Sequence, residues 1–258
     1  MKKPFAKRSL GQNFLSDPNY VNKIINALDI AADEMVIEIG PGRGALTEKL
    51  AASGADVTAI ELDRDLVPLL RERFHENKKV RVIEGDVLEV DLGSLLWEGS
   101  FADKQSPCKI KIIANLPYYI STAILQRLAA QRHLFSSLVL IFQRAVVERM
   151  VAKPCNTERG FLTVCVESAF DVERLFDVPP TAFRPQPKIW SSVVRLTPRS
   201  KAVNDEEAFL RLVSAGFAQK RKTLLNNLKS GYSNAGEVLA SAGIDPRRRA
   251  ESLTLGEW

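Results

Sequence analysis

Cysteine and long apolar runs are scarce in this sequence. Its 258 residues include three cysteines, Cys108, Cys155 and Cys165, which are widely spaced. Because an odd, scattered set does not suit a disulfide framework or a zinc site, we interpret them as reduced thiols of a cytoplasmic protein. The longest strongly apolar run, Leu138–Phe142, is far shorter than the roughly 18 residues of a membrane span. The N-terminus is basic but has no apolar core segment, so we expect no secretory signal.

Strong compositional bias is also absent. Hydrophobic residues make up 45% of the chain and charged residues 26%, which excludes disordered and collagen-like proteins. The net charge of +5 is concentrated at the ends, because residues 1–10 contribute +4, residues 199–258 contribute +3 and the rest −2. Such ends suit contact with a polyanion, although a solvated basic tail and helix would show the same charge pattern.

Short apolar segments alternate with amphipathic ones between about residues 35 and 145. Predicted strands are MVIEIG (35–40), ADVTAIEL (55–62), VRVIEGD (80–86), KIKIIANL (109–116) and SLVLIFQ (137–143), with helices at Ala45–Ser53 and Arg64–Glu76. Strands alternating with helices are typical of βαβ units, so the fold class is α/β with a mostly parallel sheet.

The pattern changes after residue 160. FLTVCVESAF (161–170) and IWSSVVRLTP (189–198) are predicted to be strands that pair as an antiparallel edge of the sheet. From Asn204 onward only helices are predicted, at 206–218, 220–231 and 234–243. We therefore place a domain boundary near residue 200, giving domains 1–200 and 201–258. Residues 97–108 are expected to form a surface loop, to which we assign no role.

Candidate ligand-binding residues follow three consecutive predicted strands. The glycine turn at 40–44 allows a ligand to approach the backbone closely, although a structural tight turn would use the same glycines. Glu61, which ends the second strand, can accept hydroxyls of a ribose from either NAD or S-adenosylmethionine. Asp86 can accept from an adenine amino group, or it can serve only as a turn or N-cap residue. We interpret Asp63 and Asp65 as N-capping residues.

The fourth strand ends in Asn-Leu-Pro-Tyr-Tyr (115–119). The exocyclic amine of adenine is a poor nucleophile, and the side-chain carbonyl of Asn115 with a backbone carbonyl can accept from it. Pro117 restricts the backbone, and Tyr118 offers a face on which an unstacked base can stack. A strand end with a proline turn and two core tyrosines is the structural alternative. Hydride transfer does not need this set of residues, whereas methyl transfer to a planar amine does.

These motifs and others along the chain resemble one family. They are LGQNFL (10–15), VIEIGPGRGALT (36–47), AIELD (59–63), GDVLEVD (85–91), NLPYYIST (115–122), FQR (142–144), FRPQPKIWSSVVRL (183–196), QKRKTLLNNL (219–228) and RAESLTL (249–255). The chain is similar to the ribosomal RNA adenine N6-dimethyltransferases, in their bacterial small-subunit (kasugamycin-sensitivity) branch.

The resemblance implies a Rossmann-like class I methyltransferase domain with an antiparallel edge, followed by a small helical domain that contacts RNA. It implies S-adenosylmethionine as methyl donor without a metal. The implied acceptors are two adjacent adenosines in a hairpin near the 3′ end of 16S rRNA, dimethylated at N6 in the small (30S) subunit during late biogenesis. We expect a cytoplasmic monomer that does not contact membranes.

The resemblance also assigns roles to individual residues. It places Asn13 and Leu15 at the cofactor's entry side, Gly40 at its methionine portion, Glu38 near the methionine amino group through water, Glu61 at the ribose and Asp86 at the adenine. It places Asn115 between cofactor and target base, Leu116 and Tyr118 in the acceptor site, and Phe183 as a second aromatic wall opposite Tyr118. We add Gly42 to the cofactor-binding residues and Pro117 to the catalytic ones.

RNA binding is predicted for the basic N-terminal arm and for Lys220, Arg221 and Lys222, which we expect on a helix at 219–228. The two histidines, His75 and His133, are expected on helices away from the strand ends, so no general base is predicted. Three alternatives remain open. They are a large-subunit rRNA methyltransferase of the macrolide-resistance type, a nicotinamide-dependent dehydrogenase and a non-catalytic subunit assembly factor.

Overall fold

The computed structural model describes residues 6–7, 10–96, 109–200, 203 and 205–258. Most of the basic N-terminal arm, the predicted loop at 97–108 and Cys108 lie outside the described residues. Cys155 and Cys165 are free thiols. Within the described ranges, no helix has both the length and the apolar character needed to cross a bilayer.

Strands and helices alternate along the first part of the chain. The strands are β1 (Phe14–Leu15), β2 (Met35–Ile39), β3 (Asp56–Glu61), β4 (Val80–Glu84), β5 (Ile110–Asn115), β6 (Phe135–Gln143), β7 (Phe170–Val178), β8 (Phe183–Arg184) and β9 (Ser191–Pro198). The helices are α1 (Pro18–Leu28), α2 (Ala45–Ala52), α3 (Val67–Phe74), α4 (Ser121–Ala130), α5 (Arg144–Met150), α6 (Phe161–Ala169), α7 (Glu206–Gly216), α8 (Leu224–Leu228) and α9 (Ala235–Ser241).

Seven strands form one sheet in the order β4-β3-β2-β5-β6-β9-β7. The neighbours among β4, β3, β2, β5 and β6 are parallel, and β9 runs antiparallel to β6. A separate antiparallel pair joins β1 to β8. The mostly parallel sheet with an antiparallel edge is therefore confirmed, and the strand order reverses between β2 and β5.

Burial of apolar side chains explains why these segments form the sheet and the helices that pack on it. All five residues of β2 are buried, as expected of a central parallel strand covered on both faces. On one face, α1 contributes Val21, Ile24 and Leu28 to the core, and α2 contributes Leu46 and Leu50. At the start of α1, the side chain of Asp17 accepts from the Asn19 N–H and Pro18 occupies the first turn, both of which favour a helix start.

The prediction of a strand at 161–170 is wrong, because residues 161–169 form α6. Almost every residue of α6 is buried, so its apolar run lacks the one-sided periodicity that distinguishes a helix from a buried strand. The β-branched residues in it favoured a strand, but tertiary packing overrode that preference. The strand at this point is β7, which begins at Phe170.

The helix predicted at 220–231 is much shorter than expected. It spans only Leu224–Leu228, and its N-cap Thr223 accepts from the Asn226 N–H. Lys220, Arg221 and Lys222 therefore lie in the turn before α8 and not on the helix. We call residues 219–222 the basic turn.

The chain divides into two compact units. The first contains the described residues up to Arg144 with Glu173–Pro198, and the second contains Ala145–Val172 with the described residues from Arg199 to Trp258. This division differs from the predicted boundary at residue 200, because Ala145–Val172 groups with the C-terminal residues.

Packing within the second unit explains that difference. The side chain of Val164 in α6 packs with Phe209 and Val213 of α7. The Arg159 guanidinium is buried and donates to the carbonyl oxygens of Leu253 (3.1 Å) and Ala152 (2.9 Å). It also forms an ion pair of 2.6 Å with Glu167. These contacts tie residues 145–172 to the end of the chain.

We expect Arg159→Met to lower the free energy of unfolding by about 3 kcal/mol, because it leaves buried carbonyls and a carboxylate without their donor. Arg211→Met is the matched control, since it removes an exposed pair with Glu207 one helical turn away in the same unit, which contributes only about 0.5 kcal/mol. Urea denaturation of both variants measures the difference. Equal losses would contradict a bracing role for Arg159.

Candidate active site

A cleft lies at the carboxyl ends of the parallel strands, where the strand order reverses between β2 and β5. It contains about 760 Å³ of empty space, counting the part open to solvent. Its wall consists of residues that end or follow β2, β3, β4 and β5, together with residues 10–14, which we call the N-terminal wall. Open α/β sheets bind ligands in this position, so we take the cleft as the candidate active site.

Glycines let the backbone turn sharply after β2. Gly40 has a φ of 68° and Gly42 a φ of 58°, values that glycine adopts without steric cost. A Cβ on Gly42 would lie 2.8 Å from Cδ1 of Phe14, so any side chain there would displace that ring. The Arg43 guanidinium lies 4.7 Å from the centre of the same ring. Both predicted glycines line the cleft, and Gly42 also positions the N-terminal wall.

Glu61 ends β3 and lines the cleft with only 5% of its surface exposed. Its Oε2 accepts from the Gly42 N–H at 2.9 Å, and its Oε1 accepts from the Asp63 N–H at 2.8 Å. Burial raises the pKa of this carboxyl above its ordinary value, while the backbone donors oppose that rise. The carboxylate is therefore held in one orientation, and each oxygen keeps a second lone pair for a ligand hydroxyl.

Asp86 lines the cleft in the turn that follows β4. Its Oδ1 accepts from the Leu88 N–H at 2.8 Å. The turn role and the ligand role considered for Asp86 therefore do not exclude each other, because one oxygen stabilises the turn and the residue still reaches the cleft.

Glu38 lies beneath the cleft and does not contribute to its wall. It is 1% exposed, and its Oε2 accepts from the Thr47 hydroxyl at 2.6 Å. Burial raises the pKa of Glu38 to about 8, against the effect of the Thr47 hydrogen bond. Its direct partner is thus the helix α2, and its contact with a ligand through water stays a prediction.

The motif at 115–119 contributes the other side of the cleft. Nδ2 of Asn115 donates to the Asn13 carbonyl oxygen at 2.9 Å, which leaves Oδ1 as the acceptor of this side chain. Leu116 and Pro117 also line the cleft. The Tyr118 hydroxyl shares a 2.7 Å hydrogen bond with Ser191 Oγ, and burial raises the pKa of Tyr118 above its ordinary value. The structure therefore brings the predicted acceptor residues together.

An ion pair anchors the N-terminal wall beside the cleft. Lys7 Nζ lies 2.5 Å from Oδ1 of Asp63 and 2.6 Å from Oδ2 of Asp65. Gln12 Nε2 donates to the other oxygen of Asp63 at 2.7 Å. Although burial raises the pKa of Asp63, the bonds from Lys7 and Gln12 hold it below its ordinary value. Asp63 is thus an anchor for residues 7–12 in addition to its turn bond to the Asp65 N–H.

Two predicted site residues lie in the core and not at the cleft. Leu15 and Phe183 face each other across the β1–β8 pair, and both belong to the buried cluster around the sheet. Phe183 has no exposed surface and does not line the cleft. The ring packs in the core cluster in this structure, and its role as an aromatic wall opposite Tyr118 stays a prediction. Leu15 directly follows Phe14, which lines the cleft, and its place at the cofactor's entry side stays a prediction.

Several residues at the site were not predicted. Gln12, Phe14 and Tyr119 line the cleft, Asp63 anchors the N-terminal wall and Ser191 bonds Tyr118. Gln12 and Phe14 lie in the LGQNFL motif next to the predicted residues Asn13 and Leu15, so the motif could have indicated them as well. The roles of Asp63 and Ser191 depend on contacts across 51 and 73 residues of sequence, which no local pattern reveals. Among the described residues, no three His, Cys, Asp or Glu side chains are grouped as metal ligands.

A family model described as ribosomal RNA adenine dimethylase matches residues 5–258. The chain belongs to the ribosomal RNA adenine dimethylase family. The resemblance stated from the sequence motifs is therefore confirmed, and this dimethylase-family chain is a methyltransferase.

The similarity to curated relatives covers nearly the whole chain. Ribosomal RNA small subunit methyltransferase A of Geobacillus thermodenitrificans is 43% identical, covering 98% of this dimethylase-family chain and 88% of the relative. The protein of the same name from Geobacter metallireducens is 44% identical, covering 98% and 93%.

Solved structures agree on the fold. A dimethyladenosine transferase from Plasmodium falciparum has a TM-score of 0.79 at 26% identity, covering 95% of this chain and 94% of that one. The 23S rRNA methyltransferase ErmE has a TM-score of 0.70 at 22% identity, covering 95% and 96%. The predicted Rossmann-like methyltransferase fold is thus confirmed.

The anchor at Asp63 generates a prediction for this dimethylase-family site. We expect Asp63→Asn to weaken binding of S-adenosylmethionine, the cofactor that the resemblance implies, about tenfold by isothermal titration calorimetry. A hydrogen bond to a charged group contributes roughly 1.5–3 kcal/mol, and about 1.4 kcal/mol corresponds to a factor of ten. Loss of this anchor would leave the N-terminal wall poorly positioned.

Lys79→Met is the matched control. It breaks another lysine–aspartate ion pair, in which Lys79 Nζ lies 2.6 Å from Oδ1 of Asp33. Neither residue lines the cleft. We expect this variant to bind the cofactor as the wild type does. If Asp63→Asn also retained the wild-type dissociation constant, the N-terminal wall would not depend on this anchor.

Proposed function

We propose that this protein transfers methyl groups from S-adenosylmethionine to N6 of two adjacent adenosines in a hairpin near the 3′ end of 16S rRNA, giving N6,N6-dimethyladenosines. The observation that carries the proposal is the placement of Asn115, Pro117 and Tyr118 on the wall of the same cleft as Glu61 and Asp86. Family membership and the names of relatives about 43% identical support the same reaction and the small subunit.

The cleft fits S-adenosylmethionine by its chemistry. Glu61 has free lone pairs for ribose hydroxyls, Asp86 reaches the wall where an adenine amine would bind, and the backbone of Gly40 is open to the methionine portion. Acidic side chains beside the cleft also suit a ligand with a sulfonium cation. When bound, the cofactor supplies an electrophilic methyl group on that sulfonium.

The acceptor residues act on the target amine. Oδ1 of Asn115 and a backbone carbonyl of the motif would accept from N6 and favour a more pyramidal nitrogen, whose lone pair is then directed at the methyl group. As the N–C bond forms, the S–C bond would break to leave a neutral thioether, and the methylated nitrogen would afterwards lose its proton to solvent. The same carbonyl dipoles stabilise the positive charge that develops on N6. Tyr118 stacks on the extruded base, and positioning lowers the barrier further. Neither His75 nor His133 lines the cleft, in line with a reaction that needs no general base at the transition state.

The basic turn is proposed to bind rRNA. Lys220, Arg221 and Lys222 are all exposed. The buried side chain of Asn227 donates to the carbonyl oxygens of Gly216 (2.6 Å) and Gln219 (3.2 Å). These bonds hold the turn in one shape, so its cations are presented to phosphates with little loss of entropy.

The cellular setting belongs to the same proposal. We propose that the protein acts as a cytoplasmic monomer on the 30S subunit during late biogenesis, needs no metal and does not contact membranes. The names of the curated relatives support the small-subunit context.

The large-subunit alternative has less support. ErmE, named as a 23S rRNA methyltransferase, shares the fold at 22% identity, whereas the relatives named for the small subunit are 43–44% identical. A non-catalytic assembly factor would not need the acceptor residues that the cleft brings together.

A methylation assay tests the proposal. Purified protein and labelled S-adenosylmethionine are incubated separately with undermethylated small subunits and with large subunits, and nucleosides are identified by mass spectrometry. We expect dimethyladenosine in the small-subunit RNA alone. Label in the large subunit would assign the protein to the resistance type, and no label with intact cofactor binding would favour the assembly factor.

In this assay we expect Asn115→Ala to lower turnover at least about 100-fold, because it removes an acceptor that stabilises the transition state. Cofactor binding should remain measurable. Asn77→Ala, which truncates an asparagine in a turn outside the cleft, should keep wild-type turnover. Near-normal turnover of Asn115→Ala would refute the acceptor role.

Reversal of Lys220, Arg221 and Lys222 to Glu tests the basic turn. We expect weaker binding of small subunits and a slope of log K against log salt that is smaller by roughly 2–3, because about one unit is lost for each phosphate contact. Reversal of the exposed Arg71, Lys78 and Lys79 changes the net charge equally and should have a smaller effect. Equal effects would show that net charge, and not the turn, governs binding.

A further inference from the structure

Exposed apolar side chains are concentrated near the acceptor residues. Among the described residues, six large hydrophobic side chains are exposed, and three of them are Tyr119 (58%), Ile189 (43%) and Trp190 (48%). Tyr119 directly follows Tyr118, and Trp190 directly precedes Ser191. Because exposed apolar surface is costly when it has no partner, a cluster of it beside a site indicates a binding surface.

Sheet topology places Trp190 at the same edge of the sheet as the acceptor motif. β9 begins at Ser191, which pairs with Gln143 at the end of β6, and the Arg144 N–H donates to the Trp190 carbonyl oxygen at 3.0 Å. On the other side of β6, Ile141 pairs with Asn115 at the end of β5. Trp190 therefore lies where the parallel strands end and the cleft opens.

A side-chain hydrogen bond ties the two segments together. Ser191 has no exposed surface, and its Oγ is 2.7 Å from the Tyr118 hydroxyl. Successive side chains of an extended chain point in opposite directions, so the inward side chain of Ser191 leaves Trp190 outward. The residue that is proposed to stack on the target base is thus bonded to the immediate neighbour of an exposed tryptophan.

The segment before Trp190 has the chemistry of a nucleic-acid contact. Arg184 and Lys188 are exposed in the same stretch, and Pro185 and Pro187 restrict its backbone. Cations alternating with an exposed aromatic ring suit a single-stranded nucleic acid, in which phosphates meet the cations and unpaired bases stack on the ring.

We propose that Trp190 is the stacking surface for the unpaired base next to the target adenosine, with Lys188 contacting the adjoining phosphate. This inference rests on the proposed function and deepens it by naming the site for the second base. While one adenosine occupies the cleft against Tyr118, its neighbour stacks outside on Trp190, so the pair of bases is held in register for successive methylations.

The test compares Trp190→Ala with Trp190→Phe. We expect Trp190→Ala to raise the KM for undermethylated small subunits roughly tenfold, since stacking contributes about 1–3 kcal/mol per base, with cofactor affinity unchanged. Trp190→Phe keeps an aromatic face and should stay within about threefold of the wild type. Val238→Ala, a truncation of another exposed apolar side chain (52% exposed), should leave KM unchanged.

A synthetic RNA hairpin identifies the ligand as the neighbouring base. An abasic nucleotide beside the target should weaken wild-type binding about as much as Trp190→Ala does, and the variant should lose nothing further. Additive losses would overturn the inference. The inference would also be overturned if the Trp190→Ala variant bound the hairpin normally but lost affinity for intact subunits. The partner of Trp190 would then be a ribosomal protein.

The two proposals fail in different ways. If the wild-type protein does not methylate small subunits, the proposed function is wrong and Trp190 has no such substrate. If the wild type methylates them and Trp190→Ala has an unchanged KM, only the role of Trp190 is refuted.

Discussion

The hydrogen bond from Nδ2 of Asn115 to the Asn13 carbonyl oxygen is the contact on which the rest of the site depends. It joins a loop at the end of a central strand to the N-terminal wall, a segment with little secondary structure of its own. By committing the amide nitrogen to the backbone, it determines that the remaining group of Asn115 is an acceptor. Movement of the N-terminal wall would therefore alter the acceptor end of the site as well as the cofactor end, and this coupling explains why Asp63, Lys7 and Gln12 hold that wall with bonds of 2.5–2.7 Å.

Three acids lie close to this wall, and each is stabilised in a different way. Glu61 accepts from the backbone N–H groups of Gly42 and Asp63, Asp63 accepts from Lys7 and Gln12, and Glu38 accepts from the hydroxyl and the backbone N–H of Thr47. Burial, with a smaller contribution from the charge on Glu61, accordingly raises the pKa of Glu38 to about 8. The raised pKa lowers the negative charge beneath the cleft, whereas the acids that line its wall are Glu61 and Asp86. The position of each side chain thus separates Glu38, which supports the helix α2, from Glu61, the glutamate that is proposed to bind the ligand.

The features predicted from the sequence are those that depend on local patterns. Parallel strands and the glycine turn follow from burial periodicity and backbone freedom, and Glu61, Asp86 and Asn115 follow from their position at strand ends. The errors arise where tertiary packing decides. The apolar run at 161–169 is a helix because it is buried on all sides, and Thr223 starts α8 after the basic cluster. Asp63 bonds Lys7, a residue 56 positions away, so its role as an anchor was not visible in sequence order.

The cofactor side and the RNA side of the proposed site are supported by different parts of the structure. The side where the cofactor is proposed to bind rests on the N-terminal wall and on the ends of β2, β3 and β4 in one sheet, in which β2 and β3 are paired on both sides. The side where RNA is proposed to enter rests on two loops, the motif at 115–119 and the segment before Ser191, which are joined by the Tyr118–Ser191 bond. A small cofactor of constant shape suits the first kind of support, since it needs no adjustment. The proposed RNA loop, whose bases must unstack before they react, suits the second kind of support. Loops joined by one hydrogen bond can adjust to two bases in turn without disturbing the sheet at which the methyl donor is proposed to bind.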